Sequence, residues 1–211
     1  MIFSFFFANG RFDDEVQEKD KTARRYSRSM NVIVSVPHAF CEPGPRNCDT
    51  MAKPFAKLIR DALLQKGIES ELYIANTLRS TIDTNRIAGR NSAFRLFLDK
   101  RVENLSCDDI ILDIHSAPFD TLKRNFEIYL LDIADLHEDD DFNDMLWKYL
   151  SSRGIVTYKM HGSMENDIVV SAITRFCISN VSLIEINESL TMERVREIAL
   201  VIADYISSTV R

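Results

Sequence analysis

The chain has 211 residues, of which 45% are hydrophobic and 27% are charged, so it is long enough to bury the core of one globular domain. Its 32 acidic and 26 basic residues give a net charge of −6. This balance argues against nucleic acid as the main partner, because phosphate contacts need a clustered basic surface. The sequence has no run of about 18 uncharged apolar residues, so we expect no transmembrane helix and no membrane partner.

The first part of the chain differs in composition from the rest. It is apolar over residues 2–8 and mostly charged from there to about Ser29, with no regular apolar period. A secretory signal normally has a basic start and a longer apolar centre, so we expect none here. We interpret residues 1–29 as a charged, mobile N-terminal extension and residues 30–211 as a single α/β domain.

The four cysteines are Cys41, Cys48, Cys107 and Cys177. A disulfide framework is typical of short secreted chains, so we expect reduced thiols and a cytoplasmic protein. The spacing His38-x-x-Cys41, with Cys48 seven residues later, can also supply ligands for a structural zinc ion. That alternative is disfavoured because a paired Cys-x-x-Cys motif is missing.

Short apolar strands alternate with amphipathic helical segments along the body of the chain. The clearest strands, 31–36, 109–114 and 181–186, are almost continuously apolar, as strands buried on both faces are. This alternation predicts an α/β domain with helices on both faces of a sheet. The other predicted elements are strands at 71–75, 126–133 and 155–158, helices at 51–67 and 142–152, a helix with Ala93, Leu96, Phe97 and Val102 on its inner face, and a final helix from about Val195 to Ile206.

Polar side chains lie at the ends of three predicted strands. His38 follows the first strand, His115 ends the central one, and Glu185 lies in the late one. In α/β folds, ligands bind beyond the strand ends, and two histidines with one carboxylate are a common ligand set of catalytic zinc. Asp113 alternates with His115 and so points to the same face. It is either a partner that orients His115 or an ordinary polar residue at the end of a strand.

Four motifs, taken in order, resemble the N-formylglutamate amidohydrolase family, which belongs to the wider zinc carboxypeptidase-like group. The resemblance covers about residues 32–193 and implies a three-layer α/β/α fold with a mixed, mostly parallel central sheet. The motifs are His38 after an apolar strand, Asp83-Thr-Asn85-Arg86, Asp113-Ile-His115-Ser116 and Glu185-Ile-Asn187.

The resemblance implies a zinc site. His38 and His115 correspond to two imidazole ligands, and Glu185 corresponds to the general base. The third ligand is expected to be a carboxylate soon after the first histidine, near the start of the next helix. Asp49 suits that position better than the alternative, Glu42. The ordinary role of an aspartate at a helix start is an N-cap.

The resemblance also implies a substrate-binding pair. Asn85 and Arg86 correspond to residues that bind a substrate carboxylate or polarise the scissile carbonyl, and an arginine suits both tasks. Arg90 lies one turn further on and is another candidate, although a surface ion pair is its commoner role. The family tends to have Arg and Tyr where this chain has Glu188 and Thr191. A glutamate in place of a cation makes an acidic substrate less expected.

Together these residues predict a zinc-dependent amidohydrolase that cleaves the amide bond of a small N-acyl amino acid, N-formylglutamate-like, or of a short peptide. Metal-activated water would be the nucleophile and Glu185 the general base. The alternative is a catalytically inactive zinc- or ligand-binding module of the same fold. A serine hydrolase built on Ser116 and His161 is disfavoured, because the chain has no Gly-x-Ser-x-Gly elbow.

Overall fold

The structure is a computed structural model that describes residues 30–41, 48–118, 125–132, 142–161 and 165–210. The predicted extension, residues 1–29, and the alternative ligand Glu42 lie outside these ranges, as does the side chain of His161. The boundary of the predicted domain near residue 30 therefore stays a prediction.

Six strands in the described part of the chain form one sheet. They are β1 (Val32–Val36), β2 (Ser70–Ile74), β3 (Ile110–Ala117), β4 (Ile128–Asp132), β5 (Thr157–His161) and β6 (Asn180–Asn187). Their spatial order is β2-β1-β3-β6-β4-β5. Neighbouring strands are parallel except for β4 and β6, which are antiparallel. The predicted mixed, mostly parallel sheet is confirmed.

Helices cover both faces of this sheet. They are α1 (Ala52–Gln65), α2 (Ala93–Val102), α3 (Phe142–Ser152), α4 (Asp167–Phe176) and α5 (Met192–Thr209). Helices α1, α3 and α5 share a hydrophobic core with one face, and α2 and α4 share a second core with the other. The predicted three-layer α/β/α arrangement is therefore confirmed. No helix in the described ranges is both long and apolar enough to cross a lipid bilayer.

Alternation along the strands decides which core each side chain enters. In β1, Val34 belongs to the core under α1 and α5, whereas Ile33 belongs to the core under α2 and α4. In β3, Ile111 belongs to the second core, so residues 113 and 115 lie on that face as well. The parallel register of β3 and β6 pairs His115 with Glu185, which brings two of the predicted site residues side by side.

The predicted inner face of α2 is partly wrong. Ala93 is exposed, and Leu96 and Phe97 are 58% and 67% exposed, whereas Leu98 and Val102 are buried. The physical reason is Arg95, which is fully buried and occupies the inward position where an apolar residue would be expected. Helix α4 was not predicted, because its β-branched apolar start cannot be distinguished from a short strand by periodicity alone.

The prediction of reduced thiols is wrong for one pair of cysteines. Cys41 and Cys48 form a disulfide bond, whereas Cys107 and Cys177 are free and exposed. The disulfide joins the segment after β1 to the residue before Asp49. It also removes the structural zinc alternative, because both sulfurs are already bonded to each other.

Asp109 anchors the start of β3 through hydrogen bonds to two other segments. Its carboxylate is 1% exposed and accepts hydrogen bonds from the backbone N–H groups of Asn31, at 2.7 Å, and Ser106, at 2.8 Å. Burial raises the pKa of Asp109, but these hydrogen bonds outweigh it and leave the pKa below its ordinary value. We expect Asp109→Asn to lower the free energy of unfolding at pH 7 by about 1–3 kcal/mol, as measured by urea denaturation.

The sign of the pH dependence follows from the lowered pKa. The folded protein gains this stability above the unfolded pKa of about 3.9 and loses it as the pH falls through the lower folded value. The difference between the wild type and Asp109→Asn should therefore shrink in acid. Asp108→Asn, at the exposed neighbouring position, is the matched control. A deficit that stays constant down to low pH would contradict the role given to the Asp109 charge.

Candidate metal centre

Three side chains of ligand type converge near the carboxyl ends of β1 and β3. His38, Asp49 and His115 are buried, and each offers one ligand atom within 4.8 Å of the others. Asp49 Oδ2 lies 2.9 Å from His115 Nδ1 and 3.5 Å from His38 Nδ1. The structure thus brings together the three residues predicted as metal ligands.

Both imidazoles are held from behind by carboxylates. His38 Nε2 lies 2.8 Å from Asp83 Oδ1, and His115 Nε2 lies 3.2 Å from Asp113 Oδ2. A hydrogen bond from Nε2–H to a carboxylate leaves the Nδ1 lone pair facing Asp49, which is the arrangement common behind metal-bound histidines. His38 Nδ1 is buried and has no hydrogen-bond partner in the described part of the chain. A divalent cation would satisfy that nitrogen, so the residues present fit a metal ion.

The position of Asp113 resolves the alternative that the sequence left open. Its side chain is fully buried, and it accepts a hydrogen bond of 2.6 Å from the Ser35 hydroxyl on β1. Because one oxygen is fixed by Ser35 and the other lies beside His115, Asp113 is a partner that orients the imidazole. It is not simply a polar residue at a strand end.

The electrostatics of the centre favour a positive charge. Burial alone would lower the pKa of His115, but the carboxylates of Asp113 and Asp49 outweigh it and raise the pKa to about 10. Burial alone would raise the pKa of Asp49, but the hydrogen bond with His115 and the nearby His38 imidazole hold that pKa well below its usual range. The surrounding carboxylates therefore stabilise a cation at the point where the ligand atoms meet.

The centre opens into a cavity of about 990 Å³. Glu185 lies on its wall, beside His115 in the register of β3 and β6. Burial raises the pKa of the Glu185 carboxyl, while His115 opposes the rise. The opposite charge on the wall comes from Arg79 and Arg86, whose side chains are 40% and 34% exposed. The cavity thus combines two carboxylates outside the ligand cluster, Glu185 and Glu188, with two cationic groups.

The predicted substrate-binding residues fall into two groups. Asn85 and Arg86 line the cavity, and the Asn85 amide nitrogen lies 3.1 Å from His115 Nε2. Arg90 is not among the described residues that line the cavity. Its guanidinium donates hydrogen bonds of 2.8 and 2.6 Å to the two carboxylate oxygens of Asp167, so its contacts are those of an ion pair.

Two residues near the centre were not given roles from the sequence. Arg79 donates a hydrogen bond of 3.3 Å to Asp83, the carboxylate behind His38, and its Nη1 lies 4.0 Å from Asp49. Arg79 and Asp83 are four residues apart, a spacing typical of ion pairs on a helix, but this segment is not helical. The sequence therefore carried no usable signal for this pairing.

Glu188 and Thr191, which stand where the family named above tends to have Arg and Tyr, both make hydrogen bonds at helix starts. Glu188 Oε1 accepts hydrogen bonds from the Thr50 backbone N–H, at 2.8 Å, and from the Ser116 hydroxyl, at 2.7 Å. It thereby places a negative charge at the start of α1, which has no side-chain cap of its own. It also fixes the turn that carries Asp49. Thr191 caps α5, accepting a hydrogen bond from the backbone of its first turn.

Comparison with known proteins finds similar structures but no similar sequence family. No protein-family model and no curated protein matches the sequence. Several crystal structures are nevertheless similar to this chain over most of its length. At these low identities the likeness concerns the fold.

Three of these structures show the extent of the similarity. Gene product Atu2144 from Agrobacterium tumefaciens is 14% identical, with a TM-score of 0.56 over 87% of this chain and 89% of that one. N-formylglutamate amidohydrolase from Ralstonia eutropha JMP134 is 12% identical, with a TM-score of 0.55 over 88% and 96%. The CwlD amidase from Clostridioides difficile, solved in complex with the GerS lipoprotein, is 14% identical, with a TM-score of 0.55 over 85% and 98%.

The carboxylate behind His38 can be tested through metal affinity. Asp83→Asn removes the charge that orients and polarises the imidazole, and we expect zinc to bind about 10- to 100-fold more weakly. Competition with a chromophoric chelator measures the dissociation constant directly. Asp61→Asn, at an exposed ion pair on α1, is the control and should bind zinc as the wild type does. Equal affinity in Asp83→Asn would contradict the role of this carboxylate.

The role of Glu188 is tested by a graded pair of substitutions. Glu188→Gln keeps an oxygen that accepts hydrogen bonds from Thr50 and Ser116. Glu188→Ala removes that acceptor. We expect the alanine variant to bind zinc about 10-fold more weakly, with glutamine between it and the wild type. The same chelator competition gives the order. If alanine binds as tightly as the wild type, Asp49 does not depend on Glu188 for its position.

Proposed function

We propose that this protein is a zinc-dependent amidohydrolase that acts on a small N-acyl amino acid, N-formylglutamate-like, or on a short peptide. The observation that carries the proposal is the buried cluster of His38, Asp49 and His115, in which His38 Nδ1 has no other partner in the described part of the chain. Two nitrogens and one carboxylate oxygen are a ligand set of catalytic zinc, which keeps a position open for water.

The metal and Glu185 would have different roles in the reaction. Zinc bound at the cluster would supply a Lewis acid toward the amide carbonyl and a water of lowered pKa. Glu185 borders the same cavity, from where its carboxylate takes a proton from the attacking water and passes it to the departing amine nitrogen. A protein that only binds a ligand does not need a general base. The presence of Glu185 therefore favours an enzyme over an inactive binding module.

The cationic groups on the wall suit the anionic end of the substrate. Arg86 donates a hydrogen bond of 3.1 Å to the Asn166 side chain, and this contact holds the guanidinium at the cavity wall. A guanidinium binds a carboxylate through two parallel hydrogen bonds, and an N-acyl amino acid carries a free carboxylate. Arg79 places a second positive charge on the same wall.

The similar structures support this choice of reaction. Two of the three proteins described above are named as an amidohydrolase and an amidase, and those names belong to them. This chain shares their fold and carries a ligand-type cluster at the end of its central strands. The net charge of −6 supports a small-molecule substrate over nucleic acid.

The proposal predicts that metal binding and turnover separate in two variants. Glu185→Gln keeps the shape of the side chain but cannot accept a proton, so zinc should remain and the turnover number should fall by about 100- to 10,000-fold. His115→Ala removes a ligand and should lose both zinc and turnover. Elemental mass spectrometry measures the metal, and amine release from a panel of N-acyl amino acids and dipeptides measures the reaction.

Each result of this experiment has a distinct meaning. Full activity in Glu185→Gln would overturn the assignment of the general base. About one zinc per chain without hydrolysis of any member of the panel would favour the binding module. Failure of the wild type to take up zinc on reconstitution would overturn the proposed function itself.

A further inference from the structure

Two exposed thiols lie at the edge of the sheet opposite the cavity. Cys107 precedes the start of β3, and Cys177 follows the end of α4. Their sulfur atoms are 3.0 Å apart, with the Cys107 thiol donating a hydrogen bond to Cys177 Sγ. Neither residue lines the cavity among the described residues, so the metal centre does not explain why they meet.

The backbone around the two thiols is held independently of the sulfurs. The backbone N–H and the hydroxyl of Ser179 both donate to the carbonyl oxygen of Cys107, at 3.2 and 2.9 Å. The Asn180 side-chain amide donates to the carbonyl oxygen of Asp108 at 2.7 Å. These bonds join the segment before β3 to the segment before β6. The two sulfurs are therefore already close without a bond between them.

The conformation of Cys177 is a second, independent observation. Its φ is 59°, and it is the one non-glycine residue with positive φ in the described part of the chain. It lies directly after a helix, where glycine is the favoured residue because a Cβ is strained in the left-handed region. The chain has a cysteine at this position instead, with its sulfur directed at another cysteine. The strained backbone and the neighbouring sulfur together indicate that the Cys177 thiol has a chemical role.

We propose that Cys107 and Cys177 form a reactive dithiol that reduces a low-molecular-weight disulfide, such as oxidised glutathione, and closes a second disulfide bond in this protein. Either thiol can react first, and the steps are the same when the first is Cys177. Its thiol gives its proton to water, and the thiolate attacks one sulfur of the small disulfide. One small thiolate leaves and takes up a proton, and a mixed disulfide remains on Cys177.

The second step uses the neighbouring thiol. Cys107 gives its proton to water and its thiolate attacks Cys177 Sγ, which releases the second small thiolate to be protonated. Two protein thiols are oxidised and one small disulfide is reduced to two thiols. The 3.0 Å separation of the sulfurs places each thiol within reach of a mixed disulfide formed on the other.

The new bond would join the starts of the two central strands. β3 and β6 pair from Ile110 and Asn180 onward and carry His115 and Glu185 toward their other ends. The two cysteines are 70 residues apart in the chain, so a covalent link between them restricts the unfolded state strongly. We expect the thermal midpoint to rise by roughly 5–15 °C on oxidation, while zinc affinity stays unchanged.

The test compares reduced and oxidised protein. The full chain is incubated with excess oxidised glutathione, remaining thiols are trapped with N-ethylmaleimide, and the digest is mapped without reduction. We expect a linked peptide that contains Cys107 and Cys177, no trapped thiol at either position and no glutathione retained. Cys107→Ser and Cys177→Ser should instead each retain one glutathione on the remaining cysteine and show no rise in the thermal midpoint.

Two further variants keep the outcome decisive. Cys177→Gly relieves the backbone strain and replaces Cys177→Ser if the serine variant does not fold. A double variant with serine at Cys41 and Cys48 should still form the link and show the rise, which separates it from the existing disulfide. Two thiols that remain open to N-ethylmaleimide after oxidation would overturn the proposal. One glutathione on each cysteine, or a link to Cys41 or Cys48, would overturn it equally.

Discussion

The register between β3 and β6 is the constraint on which the rest of the structure depends. Side chains on β3 alternate between the two cores, and the alternation that buries Ile111 under α2 and α4 also directs Asp113 and His115 toward that face. Pairing with β6 then sets Glu185 beside His115. A shift of one residue would turn the ligand and its supporting carboxylate toward the opposite helices. The packing of the core and the geometry of the centre are thus fixed by the same pairing.

A buried ion pair holds the segment that completes the centre. Arg95 is fully buried, donates to the Thr84 carbonyl oxygen at 3.1 Å and lies 2.9 Å from Asp167 at the start of α4. A buried charge is tolerated when it is paired in this way. Asp167 also binds Arg90, so two arginines fix the segment between β2 and α2 against α4. That segment supplies Asp83, the carboxylate behind His38.

One glycine lets this segment close on itself. A Cβ at Gly89 would lie 2.3 Å from the carbonyl oxygen of Asp83 and 2.8 Å from Thr84 Cα. Both are backbone atoms, so no side chain can move aside to make room. The turn that presents Asp83 and Arg86 therefore requires glycine at this position. Arg90, predicted to bind substrate, follows this turn and pairs with Asp167 rather than lining the cavity.

The sequence predicted features that depend on local pattern and missed those that depend on contacts between distant segments. Continuous apolar runs predicted the central strands, and the polar residues at or near their ends include His38, His115 and Glu185, which the structure places at one cavity. The contact of Glu188 with Thr50 joins residues 138 positions apart, so no local pattern signals it. The inward turn of Arg95 depends on Asp167, an acidic residue in a helix that the apolar pattern did not identify. The pairing of Cys41 with Cys48 likewise depends on folded geometry that spacing does not fix.

The balance of charge shows why the centre suits a cation. Asp49, Asp83 and Asp113 surround two imidazoles that are neutral when they act as ligands, and Asp49 and Asp113 are buried. Arg79 and Arg86 lie on the exposed side of this group, 3.3 and 3.8 Å from Asp83, so they compensate Asp83 more closely than the buried Asp49 and Asp113. Buried carboxylates that are not compensated are costly, so the folded chain favours a positive charge between the imidazoles. A divalent ion bound by His38 Nδ1 and Asp49 would supply that charge, and Asp83 and Asp113 would support it through the two imidazoles.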